Sequence, residues 1–138
     1  MMRPVFDPLQ LQSALLDVQA ASHASAAALA RRQQMRLANL LAAVQGSRLY
    51  QERLRGLDGP FDFQSVAPVT RAELMARFDD WVTDPALRLD DLQALTQDPA
   101  RAGEAWLGRY VVWESSGTSG RPGIFVQDAR AMAVYDAL

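Results

Sequence analysis

Cysteine is missing from this 138-residue chain, which excludes disulfides and thiolate metal sites. Lysine is missing too. All fourteen basic residues are arginine, so a mechanism that needs a lysine ammonium must find it on another chain or another segment. The single histidine, His23, lies in an Ala-rich helical stretch and is a poor base for activating a serine. One histidine and scattered carboxylates form no metal-ligand cluster. The adjacent pairs Asp79-Asp80 and Asp90-Asp91 point about 100° apart on a helix and suit surface or capping roles better than paired acid–base chemistry. A net charge of -2 offers no electrostatic case for nucleic acid or an anionic membrane. No apolar run approaches the ~20 residues of a membrane span. The start, Met1 to Pro8, lacks the apolar core of a signal peptide. A cytoplasmic protein is the default expectation.

What is present suffices for one domain. Hydrophobic residues make up 49% of the chain, as in globular proteins. Asp7-Pro8 reads as a helix start, with Asp as N-cap and Pro in the first turn. Leu11, Leu15 and Val18 then form an apolar stripe. The Ala-rich stretch 20–30 either continues this helix or breaks near Ser22–Ser25. Leu37, Leu40, Leu41 and Val44 form a second stripe, stopped at Gly46. Ser47 can cap a short helix through Leu54. The stretch 56–68 reads as a loop anchored by Phe61, Phe63 and Val66. Thr70-Arg71-Ala72-Glu73 is a capping box opening a helix with Leu74, Phe78 and Trp81 on it, ended by Asp84-Pro85. A short helix follows around Leu89–Leu95, and residues 98–108 are loop. Arg31, Arg32 and Arg36 read as a solvated helix face. Trp106 and Trp113 read as packing between sheet and helices. The chain closes with strand, glycine-rich loop, strand, and a helix capped by Asp128 with Ala131, Val134, Tyr135 and Leu138 on its apolar side. The expected class is α+β: 1–108 mainly helical, 109–127 strand–loop–strand, 128–138 the start of a helix.

The loop carries the chemistry. Ser115-Ser116-Gly117-Thr118-Ser119-Gly120-Arg121-Pro122-Gly123 lies between the β-prone runs Tyr110-Val111-Val112-Trp113 and Ile124-Phe125-Val126. Glycines expose backbone N–H groups, and small hydroxyls add donors without bulk, which is what a polyphosphate requires. The triphosphatase pattern G-x-x-x-x-G-K-S/T fails, because Pro122 stands at the second glycine position and there is no lysine. The dinucleotide pattern G-x-G-x-x-G fails, and the following segment is extended rather than helical. The nucleophile elbow G-x-S-x-G fails at Arg121.

Ser115 through Pro122 resembles the phosphate-binding signature of the adenylate-forming enzymes, S/T-S/G-G-S/T-S/T-G-x-P-K. Two further stretches are similar to the phenylacetate–CoA ligase-like branch of that superfamily. These are Ser47-Arg48-Leu49-Tyr50-Gln51-Glu52-Arg53-Leu54 and Pro68-Val69-Thr70-Arg71-Ala72-Glu73-Leu74, followed by Trp113 through Gly120 in the family's order. The resemblance covers roughly 45–138. It implies a two-step ligase: a carboxylate attacks the α-phosphate of ATP to form an acyl-adenylate, and a thiol such as coenzyme A then takes the acyl group. It implies ATP as cofactor, with Mg in the intact enzyme, held at its β- and γ-phosphates by Ser115, Ser116, Gly117, Thr118, Ser119, Gly120 and Arg121. No catalytic residue and no metal ligand is assigned within the chain. The family lysine after the proline is Gly123 here, and Arg121 is the candidate to replace its charge.

The last helix carries no stop signal, and two strands alone are marginal in water. The expectation is therefore the incomplete N-terminal part of an adenylation domain. Its base pocket, acyl pocket and catalytic lysine would lie elsewhere, and it would not complete the reaction alone. The unfinished apolar surface is open to self-association. The alternative is a non-catalytic helical interaction module that retains the loop.

Overall fold

A computed structural model describes residues 5–56, 65–115 and 122–138. The architecture is α+β: a mainly helical portion, a two-stranded antiparallel hairpin and a C-terminal helix. Helix α1 spans Pro8–Ser22, and Asp7 caps it by accepting from the Leu9 N–H at 3.0 Å and the Gln10 N–H at 3.4 Å. The Ala-rich stretch does break. Exposed His23 ends α1, and Ser25 caps α2 (Ala26–Ala43) through the Ala28 N–H.

Helix α1 does not bury the expected stripe intact. Leu11, Ala14, Val18 and Ala21 are half-buried, whereas Leu15 is exposed. In α2, Leu37, Leu41 and Val44 turn inward and Leu40 stays out. Of the three arginines expected to be solvated, Arg32 and Arg36 instead both pair with Asp17 and tie α2 to α1. The hydrogen bond from Arg32 is the main influence holding the Asp17 carboxyl below its ordinary value.

A 3-10 turn at Val44–Gly46 leads into α3 (Arg48–Arg53), capped by Ser47. Ser47 is fully buried. Its Oγ accepts from the Tyr50 N–H at 3.4 Å and donates to the Asp80 carbonyl at 3.1 Å. Phe61 and Phe63, expected as loop anchors, lie outside the described residues.

The single helix expected after Thr70 is two short ones, α4 (Arg71–Ala76) and α5 (Phe78–Trp81). The break falls at Arg77, at φ -123° and ψ 33°. Its guanidinium is held by Glu52 at 2.8 Å and Asp80 at 3.0 Å. Only half of the capping box forms: Thr70 accepts from the Glu73 N–H at 3.2 Å, while the Glu73 carboxylate turns to Arg53. Helix α6 (Leu89–Gln97) lacks a side-chain cap of its own, and Asp79 supplies one by accepting from the Leu89 N–H at 3.0 Å.

Strands β1 (Tyr110–Glu114) and β2 (Ile124–Asp128) pair antiparallel, with Val112 opposite Val126 and Trp113 opposite Phe125. Alternation sends Tyr110, Val112, Ile124 and Val126 to one face. There they join Phe78, Leu87 and Leu92 in the core, with Trp81 and Trp106 at its margin. Phe78 and Trp81 meet edge to face, centroids 5.6 Å apart. Trp113 points to the other face and is partly exposed.

Asp128 caps α7 (Ala129–Asp136) through the Ala131 N–H at 2.8 Å. Of the four positions expected to face inward on α7, Ala131 and Val134 are half-buried while Tyr135 and Leu138 are exposed, and Ala133 is the residue that is buried. Tyr135 instead meets Trp113 edge to face at 5.9 Å. Helix α1 packs against α7. No described helix is long and apolar enough to cross a membrane.

Candidate functional site

The register that pairs Glu114 with Ile124 brings Ser115 and Gly123 together as the neck of the loop. The Ser115 N–H donates to the Gly123 carbonyl at 2.9 Å, and the Gly123 N–H donates to Ser115 Oγ at 2.8 Å. Of the nominated phosphate-binding residues, Ser115 is therefore at the neck. Ser116, Gly117, Thr118, Ser119, Gly120 and Arg121 lie outside the described residues. Ser115 Oγ acts as an acceptor within the neck, which leaves its hydroxyl hydrogen to donate.

Gly123 is buried, and a side chain there would require its neighbours to give by a few tenths of an ångström. A Cβ there would stand 3.2 Å from Arg71 Cδ, 3.3 Å from Phe125 Cε2 and 3.5 Å from Ser115 Oγ. Arg71 comes from the first turn of α4. That helix is docked under the hairpin, with Met75 Sδ accepting from the Ile124 N–H at 3.4 Å.

The three stretches that resemble the ligase family are contiguous through their described residues. Arg53, from the first, donates to the Ala67 carbonyl at 2.9 Å and pairs with Glu73, from the second. Arg71, also from the second, lies against Gly123 at the neck of the third. Sequence reading did not anticipate the contact of Arg71 with Gly123, because the capping box drew attention to Thr70 and Glu73. No signal along the chain reports that α4 lies under the hairpin.

At the opposite end of β1, Asp84 accepts from the Tyr110 hydroxyl at 2.7 Å, from the Ala86 N–H at 2.9 Å and from Arg109. The Tyr110 hydrogen bond, then the Ala86 N–H and the Arg109 charge, hold the Asp84 carboxyl below its ordinary value. Burial and the neighbouring carboxylate push the Tyr110 hydroxyl up. This cluster pins the 84–87 turn to β1.

A mainly apolar cavity of about 480 Å³ lies between α2, α3 and the start of α4, lined by Leu37, Leu41, Leu54, Val66, Leu74 and Trp81 among others. Neither Ser115 nor Gly123 lines it. Among the described residues no group of three or more His, Asp or Glu is placed to hold a metal ion. Comparisons with protein-family models, with curated proteins and with solved structures found no match.

Proposed function

We propose that the chain supplies the phosphate-binding portion of an adenylate-forming, carboxylate-activating enzyme of the phenylacetate–CoA ligase-like kind. One observation carries this reading. The Ser/Thr/Gly-rich segment Ser115–Gly123 connects two register-matched antiparallel strands, and its neck is closed by two hydrogen bonds. A short neck holds the ends of the loop at fixed separation, which lowers the entropy cost of presenting several donors to one anion.

In the proposed reaction a carboxylate oxygen forms a bond to the α-phosphorus of ATP. The bond from that phosphorus to the bridging oxygen breaks, and pyrophosphate leaves with the electron pair. A thiol then adds to the acyl carbon and AMP departs. The role of this chain is to bind the β- and γ-phosphates. Backbone N–H groups at Gly117 and Gly120 and the hydroxyls of Ser116, Thr118 and Ser119 would donate to the phosphate oxygens, and charged acceptors strengthen such bonds. Arg121 would add a planar donor fork. Magnesium would enter with the nucleotide. Without a lysine, the chain is assigned phosphate binding rather than the whole reaction.

The purified 138-residue chain should bind ATP and inorganic tripolyphosphate alike, with Kd on the order of millimolar, as three or four exposed phosphate contacts imply. Gly120→Val should abolish both. Binding untouched by that change would overturn the loop assignment. Carboxylate-dependent ATP–pyrophosphate exchange by the chain alone would overturn the division of labour.

A second reading rests on a different observation. Helices α1 and α2 contain no fully buried residue and expose Leu9, Leu16 and Met35 at 75%, 60% and 66%. An apolar surface of this kind suits a partner helix. A chain that binds no polyphosphate but sediments as a complex would favour an interaction module.

A further inference from the structure

We propose that the apolar cavity between α2, α3 and the start of α4 binds a small uncharged molecule, an apolar body carrying a single hydrogen-bond acceptor. The inference is independent of the loop reading, because neither Ser115 nor Gly123 lines the cavity. Its first support is size and surroundings. A volume of about 480 Å³ falls among small-molecule sites, which run to roughly 300–1,000 Å³ and are mostly apolar. Leu37, Leu41 and Val44 turn toward it from α2, yet α2 buries no residue completely. Leu54 and Leu74 on the other walls are likewise only half-buried. Next to them the core closes: Phe78, which meets Trp81 edge to face, is 2% exposed. The chain thus packs one cluster shut and leaves its neighbour with apolar walls in water, a surface whose cover by an apolar body is favourable.

The second support is that the walls are held by bonds of their own. The buried Ser47 hydroxyl donates to the Asp80 carbonyl at 3.1 Å and ties the start of α3 to α5. Arg53 donates to the Ala67 carbonyl at 2.9 Å and pairs with Glu73, which ties the end of α3 to the stretch before α4 and to α4 itself. Arg77 pairs with Glu52 at 2.8 Å. A site whose walls are fixed in advance loses little conformational freedom when its ligand arrives.

The third support is chemistry. None of the described lining residues carries a charge, so a carboxylate or an ammonium would lose its water without gaining a counter-charge. Two donors belong to the walls, the Tyr50 hydroxyl and the Trp81 indole N–H. Neither has a hydrogen-bond partner among the described residues. A hydroxyl can turn its hydrogen toward an acceptor, and an indole N–H can only donate. Aliphatic walls, two aromatic rings and two donors without partners select a ring or short chain that ends in a carbonyl or ether oxygen.

The test is a titration of the 138-residue chain with acetophenone, an uncharged aromatic ketone, followed by the indole N–H resonances. Trp81 lines the cavity, whereas Trp106 and Trp113 do not. The Trp81 signal alone should move, and it should saturate with Kd on the order of 0.1–1 mM. Benzoate, of similar size but charged, should bind at least about tenfold more weakly. Tyr50→Phe should weaken acetophenone about fivefold and leave ethylbenzene, which has no acceptor, unchanged. Val44→Phe should weaken binding, and Val44→Phe with Ala67→Phe, which crowds the cavity from two walls, should abolish it without lowering the urea midpoint. Leu16→Ser, on the exposed side of α1, should leave binding intact. No saturable movement of Trp81 in the native chain would overturn the proposal, as would all three indole signals drifting together, the mark of unselective adsorption. A Trp81 signal that follows protein concentration rather than acetophenone would overturn it in favour of a second copy covering this face. Benzoate bound as tightly as acetophenone would overturn the uncharged ligand class.

Discussion

Replacing Ser47 with alanine separates two contributions that usually travel together. Ser47 caps α3 by accepting from the Tyr50 N–H, and it is fully buried while donating to the Asp80 carbonyl. Ser25 caps α2 in the same manner, through the Ala28 N–H, but at an exposed site. Loss of a serine cap costs about 1 kcal/mol. Stranding a carbonyl acceptor in a buried contact adds about 1–2 kcal/mol. Ser25→Ala should therefore cost about 1 kcal/mol, and Ser47→Ala about 2–3 kcal/mol. For a chain of this length the corresponding drops in Tm are roughly 3–4 °C and 7–11 °C. Urea unfolding of both variants, with the slope checked for constancy, measures the difference directly. If Ser47→Ala costs no more than Ser25→Ala, the buried bond to Asp80 contributes nothing, and α3 is not anchored to α5 by that serine.

Leu92 is completely buried in the cluster beneath the hairpin, so Leu92→Ala should cost about 2–5 kcal/mol in urea unfolding; a cost below 1 kcal/mol would mean that α6 is not part of the core. The Asp84 carboxyl titrates below its unfolded value near 3.9. As pH falls the unfolded chain takes up the proton first, so this contribution is full above about pH 4 and is lost as pH drops through the folded pKa. Asp84→Asn should flatten the acid limb of a stability–pH curve, and Tyr110→Phe should remove about 1–2 kcal/mol at neutral pH; an acid limb unchanged in Asp84→Asn would refute the assignment. Arg121→Ala should weaken ATP binding by the chain about tenfold, and unchanged affinity would remove Arg121 as the replacement charge.

The features legible in the sequence were those whose causes are local. Asp7, Ser25, Ser47, Thr70 and Asp128 all cap helices because a short oxygen-bearing side chain meets N–H groups two or three residues on, and that geometry is written in the spacing. The two paired strands follow from β-prone runs flanking a glycine-rich segment. What failed depends on partners distant along the chain. The break at Arg77 reflects its ion pairs with Glu52 and Asp80. On α7 the expected Ala131 and Val134 are half-buried but Tyr135 and Leu138 are exposed, and the buried Ala133 was not among the expected positions. Asp17 draws Arg32 and Arg36 together only after α1 and α2 have turned back on one another. Around the candidate loop, the flanking strands were legible and the contact of Arg71 with Gly123 was not, because fifty-two positions separate them.

The packing of α1 against α7 has a consequence for the order in which the molecule assembles. Helix α1 is synthesised well before α7 and yet rests on it. At typical synthesis rates roughly 5–25 s separate their appearance, and closing so long a stretch of chain carries an entropic penalty that local contacts do not. During that interval α1 can fold back on α2 through Asp17 and Arg32, but its half-buried face waits for a surface that has not yet been made. Helix α1, which contains no fully buried residue, should therefore be the last element to settle and the first to exchange its amide hydrogens, well ahead of α6 with Leu92 and Leu95 in the core.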